Sequence, residues 1–208
     1  VSYWDHPKPV KRARSVDVAR VAHTASSILD EGGLRALTVR AVAQRLDIAP
    51  ASLYSRFSSS DDLFDVALDD ALGRDAELQS AVRRAPLDAL MVAYFRHLVR
   101  RPWACQVIAM RAPRGPNYLL LSERMCVLLV ERGSADPLGD AYALSNFVIG
   151  SATTAPIAGH ERVAPVDPRL APTYATLHAA RPEDPEAVLT AGLTALLAAP
   201  GLRNACRR

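Results

Sequence analysis

An all-α fold is the class this sequence predicts, and three observations predict it. Apolar residues recur at spacings of three and four along nearly the whole chain, proline and glycine mark the ends of those runs, and strand-like alternation finds little support. With 208 residues, half of them apolar, the chain can bury a sizeable core.

The elements follow in order. A first helix is predicted over residues 16–31, with Ser15 as N-cap, an apolar stripe of Val18, Val21, Ala22, Ala25, Ile28 and Leu29, and Gly32-Gly33 as its stop. Thr38 caps a second helix whose Val39, Val42, Ala43 and Leu46 fall at i, i+3, i+4 and i+7. A third begins near Pro50 and turns Leu53 and Phe57 inward. Ser60 caps a fourth, where Asp61 and Asp62 suit the positive helix end and Leu63 to Leu72 supply the buried side. Residues 73–84 read as a polar joint. Beyond it, Pro86 is placed at N1 of a long helix ending near Arg101, Pro102-Trp103 opens a shorter one, and further helices cover about 117–132 and 137–158. Residues 156–185 hold six of the fifteen prolines, so 159–185 is expected to be a long loop. A last helix spans 186–199.

Composition excludes some classes of function. No run approaches the roughly 18 apolar residues that a membrane span requires, and the chain reads as a soluble, cytoplasmic protein with no membrane partner. Cys105, Cys126 and Cys206 are widely spaced and odd in number, which fits reduced thiols. No metal-binding spacing occurs; neither His97 nor His160 sits in one, and no cofactor is expected. The net charge is only +3, but up to Ser60 nine Lys and Arg face five Asp and Glu, against sixteen and seventeen in the remainder. A basic first third suits a polyanion, and it equally suits a solvated surface.

The stretch "TVRAVAQRLDIAPASLYSRF", Thr38 to Phe57, decides between these. Two short helices joined through Asp47, Ile48 and Ala49, behind a first helix, make the spacing of a helix-turn-helix. Ile48 anchors the turn, and Pro50 starts the next helix because a first-turn residue needs no N–H partner. The outward face then offers Ala51, Ser52, Ser55 and Arg56, with Tyr54 at its edge. Small and hydrogen-bonding groups of this kind approach base edges closely, while Tyr54, Thr38 and helix N-terminal amides suit phosphates. Arg40 is placed to reach a base or a phosphate. Singly, each of these polar residues reads as an ordinary solvated face; together with the spacing they point to a DNA groove.

Residues 15–72 resemble the DNA-binding domain of the TetR family of bacterial transcription regulators. The resemblance rests on a helix ending in Glu-Gly-Gly, the "LTVRAVAQRL" helix, Leu53-Tyr54-x-x-Phe57, and the acidic-apolar start of the fourth helix. It implies that Thr38, Arg40, Ser52, Tyr54, Ser55 and Arg56 contact operator DNA, with Pro50 and Ala51 opening that face. Three departures stand out. Asp47 occupies a turn position commonly held by glycine, Ala49 offers no cap to the third helix, and "SSSDD" lacks a lysine often found before the fourth. Lys8, Lys11, Arg12 and Arg14 form a basic arm that follows the DNA backbone, enters a minor groove or hangs as a tail.

The resemblance further implies three parts: residues 1–14 as a flexible arm, 15–60 as the helix-turn-helix domain, and 61–208 as a larger helical ligand-binding and dimerisation domain. The wide apolar faces over 137–158 and in the last helix suit a two-subunit bundle, or plain core burial. Tyr94, Leu98, Trp103, Met110, Tyr118, Met125 and Phe147 are candidates to line an effector pocket, each of which also reads as core. The function expected is a homodimeric repressor of palindromic double-stranded operator DNA, released by a small molecule, and not an enzyme. The alternative is a helical small-molecule-binding protein or enzyme that keeps the helix-turn-helix only as structure; no nucleophile, base and orienter set supports it.

Overall fold

Helices account for all the regular structure among residues 2–5, 17–54, 56–180 and 184–198, the parts that the computed structural model describes. Among them the chain runs α1 (Val18–Gly32), α2 (Val39–Leu46), α3 (Pro50–Tyr54), α4 (Ser60–Arg74), α5 (Ala76–Arg84), α6 (Leu87–Arg100), α7 (Pro102–Met110), α8 (Pro116–Glu131), α9 (Pro137–Thr154), α10 (Ala158–Val163), α11 (Pro172–Ala180) and α12 (Pro185–Ala198). Two compact units divide the chain: residues 1–85 with 101–125, and 86–100 with 126–208.

In the first unit α4 is the central helix. Its residues from Leu63 to Asp69 are buried without a break, so it has no solvated face there. The apolar members are covered chiefly by α1. Its two buried aspartates, Asp65 and Asp69, then require polar partners, because an uncompensated charge in such a place costs several kcal/mol, on the order of the effective desolvation penalty. They find them in the connection from α7 to α8 and in the first turn of α8. Asp65 receives Arg111 Nε at 2.9 Å, and Asp69 receives the N–H groups of Asn117 at 2.8 Å and Tyr118 at 3.2 Å. Gly115 is required beside it, since a Cβ there would lie 2.2 Å from Asp69 Oδ1.

In the second unit α6 lies against α9 and α12, burying Leu90, Tyr94, Leu98, Leu144, Val148, Leu189 and Leu193. Arg96 of α6 clasps Glu186 of α12 with Nε to Oε2 at 2.8 Å and Nη2 to Oε1 at 2.5 Å. Phe147 packs over Gly192, where a Cβ would meet its ring at 2.3 Å.

Several element ends differ from the sequence prediction. The first helix starts at Val18 under Asp17, whose carboxylate accepts from Ala19 N–H, rather than under Ser15, which lies outside the described residues. The fourth is capped by Ser59, one residue before Ser60. The expected joint at 73–84 is helical: Asp75 caps α5 by accepting from Leu78 N–H at 3.1 Å, and buried Leu78 anchors it. Pro86 precedes α6 instead of opening it, its carbonyl accepting from Leu90 N–H. The expected loop at 159–185 contains α10 and α11, because Pro172 starts a helix as readily as it ends one. Helix α11 buries no residue, which is why its sequence shows no stripe. No described helix is long and apolar enough to cross a membrane.

Candidate nucleic-acid interface

The interface is assembled by the packing of α1, α2 and α3. Thr38 stands in extended backbone at φ −135° and its Oγ1 accepts from Ala41 N–H at 3.0 Å, fixing the start of α2. The far end of α2 is closed by Asp47 at φ 54°, ψ 49°, the one described non-glycine residue in the left-handed region. Asp47 N–H donates to Gln44 and Ile48 N–H to Ala43, the paired bonds of a Schellman ending. Aspartate therefore takes the strain that glycine would avoid. Ile48 is half-buried, less enclosed than a core anchor. A bidentate Arg45–Glu31 pair, at 2.9 and 2.7 Å, fastens α2 to the end of α1. It is exposed, and periodicity did not single it out.

Helix α3 is held by two side chains, Leu53 and Phe57, neither of which has any exposed surface. Burial of each contributes about 2 kcal/mol. What remains faces outward: Pro50, Ala51, Ser52 and Tyr54 are exposed, Tyr54 at 54%, and Arg56 is half-buried. Thr38 and Arg40 are also exposed. Ser55 and the arm residues Lys8, Lys11, Arg12 and Arg14 lie outside the described residues, as does Cys206. Past α3, Ser59 Oγ accepts from Asp61 N–H, and Asp62 reaches back to Ser58 N–H at 2.5 Å. The acidic "SSSDD" start is thus spent on capping, and Asp61 is further paired to Arg111 Nη1 at 2.7 Å.

The residues expected to line an effector pocket are divided between the units. Trp103, Met110, Tyr118 and Met125 belong to the first; Tyr94, Leu98 and Phe147 belong to the second. Trp103 donates its indole N–H to Asp30 at 2.7 Å, Met110 is 56% exposed, and Tyr94, Leu98 and Met125 are buried. The second unit does contain a cleft, of about 310 Å³, lined by Ser151, Thr154, Ala155, Ile157, Ala158, Pro185 and Val188. None of the seven expected residues lines it. Small residues on α9 leave that space, and a search for large aromatic side chains passes over them. Among the described residues no group of three or more His, Cys, Asp or Glu is placed to hold a metal ion.

Three helices with a Schellman turn after the second, a proline-started third and an exposed polar face define a helix-turn-helix protein. Residues 22–67 match the family described as "Bacterial regulatory proteins, tetR family". An HTH-type transcriptional regulator of Saccharopolyspora erythraea is 32% identical over 166 residues, covering 76% of this chain and 69% of that protein. The HTH-type transcriptional repressor DrrR1 of Streptomyces coeruleorubidus is 29% identical over 151 residues, and the chain spans 54% of its length. Among solved structures, the Streptomyces coelicolor TetR family protein ActR in complex with (S)-DNPA superposes with a TM-score of 0.69 at 26% identity, over 90% of this chain and 96% of that one. The chain belongs to the TetR family of bacterial transcriptional regulators.

Proposed function

We propose that this regulator is a homodimeric repressor that reads a palindromic operator with α3 and leaves it when a small molecule binds. The observation that carries this is the exposed face of α3, small and polar, standing on a fully buried Leu53–Phe57 base. Thr38, Arg40, Pro50, Ala51, Ser52, Tyr54, Ser55 and Arg56 are the residues assigned to DNA, Tyr54 and Thr38 to phosphates and Arg40 to a base edge. A repressor name among the relatives and ActR's complexes with (S)-DNPA and actinorhodin support repression and effector control.

Dimerisation is assigned to α9 and α12. Leu138 and Tyr142 of α9 and Val188 of α12 are exposed, at 58, 63 and 44%, and α12 carries no charge after Glu186. Such uncharged faces suit a subunit bundle. The effector is assigned to the second unit, where the cleft beside α9 and α12 is of the size that small ligands fill. An effector releases the operator only by preferring the conformation that holds the two recognition helices out of register. No catalytic step is needed.

Fluorescence anisotropy on DNA flanking the protein's own coding region tests the reading. Tight binding that weakens steeply between about 50 and 200 mM salt is expected, as for several phosphate contacts. Arg40→Ala should narrow the gap between operator and random DNA. Equal affinity of the wild-type protein for both DNAs at every salt concentration refutes the operator assignment.

A further inference from the structure

The cleft of the second unit has a lining whose chemistry narrows what can fill it. Of the seven described residues that line it, five are apolar, two carry hydroxyls and none is charged. The two hydroxyls are not equivalent. Thr154 Oγ1 donates back into its own helix, to the Gly150 and Ser151 carbonyls at 3.2 Å each. The Ser151 hydroxyl is held by no hydrogen bond among the described residues.

The charges on either side of the lining residue Pro185 are already engaged. Glu186 is clasped by Arg96 at 2.8 and 2.5 Å. Asp184 turns Oδ1 to the Glu186 N–H and its carbonyl to the Val188 N–H, both at 3.0 Å. The start of α12 is thus met by acceptors of its own chain, which weakens the pull it would otherwise exert on an anion. At the end of α9 the Ser151 carbonyl accepts from Ala155 N–H, and the backbone continues in helical conformation to Ala158. A charged group enclosed between these elements would give up water and meet no opposite charge in the described lining.

We infer that the cleft takes a neutral, largely apolar small molecule, with Ser151 as its hydrogen-bonding anchor. Its volume of about 310 Å³ equals that of about ten waters, room for roughly a two- or three-ring skeleton. Apolar walls supply the affinity and one hydroxyl the orientation. The inference rests on the reading of this cleft as the effector site and adds the class of molecule.

Three probes with one skeleton separate charge from shape: 1-naphthalenemethanol, 1-naphthoate and 1-naphthylmethylammonium, each titrated calorimetrically into the full chain at neutral pH. The alcohol should bind, and the two ions should bind at least about tenfold more weakly. Ser151→Ala should weaken the alcohol about 3- to 10-fold, the worth of one neutral hydrogen bond, with the melting temperature unchanged. Ala155→Phe, which fills the cleft, should abolish its binding. Either ion binding as tightly as the alcohol, no probe binding at all, or an alcohol affinity indifferent to both substitutions overturns the inference. Val188 also lies on the face assigned to the subunit bundle, so sedimentation is run on each variant; an Ala155→Phe chain that turns monomeric gives the space to a second copy and overturns it too. The effector reading is judged separately, by anisotropy on a duplex enriched by the wild-type protein from a random-sequence pool. A charged probe that displaces this duplex from wild type but not from Ala155→Phe overturns the neutral class and upholds the effector site. An alcohol that fills the cleft and leaves the duplex bound upholds the class and overturns the effector assignment.

Discussion

Replacing Asp65 by alanine removes a carboxylate on which three parts of the first unit converge. Its oxygens accept from Arg111 Nε at 2.9 Å and Nη2 at 3.3 Å, from Ser2 Oγ at 2.9 Å and from Tyr3 N–H at 2.8 Å, on a residue only 6% exposed. A hydrogen bond to a charged group contributes about 1.5–3 kcal/mol, and bonds sharing one acceptor do not add in full. The variant also takes from Arg111, whose side chain is 18% exposed, its buried ion-pair partner, while the pair with Asp61 stays. Asp61 is 58% exposed and its pairing is solvent-screened, so it offsets only part of the loss. A net cost of about 3 kcal/mol follows, near the lower edge for breaking a buried pair. In a chain of this length that lowers the melting temperature by about 6–12 °C. Urea unfolding at fixed protein concentration, followed by tryptophan fluorescence, measures it. Asp65→Leu with Arg111→Met, which removes both charges together, should cost less than Asp65→Ala alone. A cost below about 1 kcal/mol for Asp65→Ala, together with a double variant equal to the sum of its singles, refutes the reasoning.

Other expectations concern local features. Asp47→Gly relieves a left-handed φ and should stabilise the fold by up to about 1 kcal/mol, read as a rise in melting temperature with unchanged secondary structure by circular dichroism. Thr38→Ala deletes the cap on α2 and should cost about 1 kcal/mol in chemical denaturation. Glu186 has its pKa held below the ordinary value by hydrogen bonding to Arg96, opposed by burial and assisted by the arginine's charge. A lowered acid contributes stability above its unfolded value, and that contribution disappears as pH falls through the folded value. Because the pair is 37 and 45% exposed, the effect stays below about 1 kcal/mol. Glu186→Gln should flatten the acid side of the stability profile, and an unchanged slope would count against it.

Legibility in the sequence tracked the way each feature is encoded. The stripes of α1 and α2, the start of α7 at Pro102 and the inward Leu53 and Phe57 are written in spacing, and the structure repeats them. Helix α5 was hidden because it buries a single leucine, Leu78, among polar residues, and its signal is the Asp75 cap. Helix α11 was hidden because it buries nothing. The junctions at Asp65 and Asp69 were illegible for another reason. An aspartate within an apolar run looks like an interruption of the buried face until a partner 46 or 48 residues away is brought beside it. The same holds for Tyr3, whose stacking on Phe57 no local pattern announces. The α9–α12 cleft is made by what is absent, small side chains and a gap, and its residue types resemble filler.

Helix α8 begins without a cap of its own. Pro116 opens it, and the N–H groups of Asn117 and Tyr118 are both met by Asp69, a residue of α4, with Gly115 bare so that the carboxylate can enter. A helix that borrows its first hydrogen-bond acceptor from another helix has that end closed by protein only while the two are packed together. An isolated peptide of residues 116–131 should accordingly fray at its N-terminus, where within the folded chain the same turn is closed.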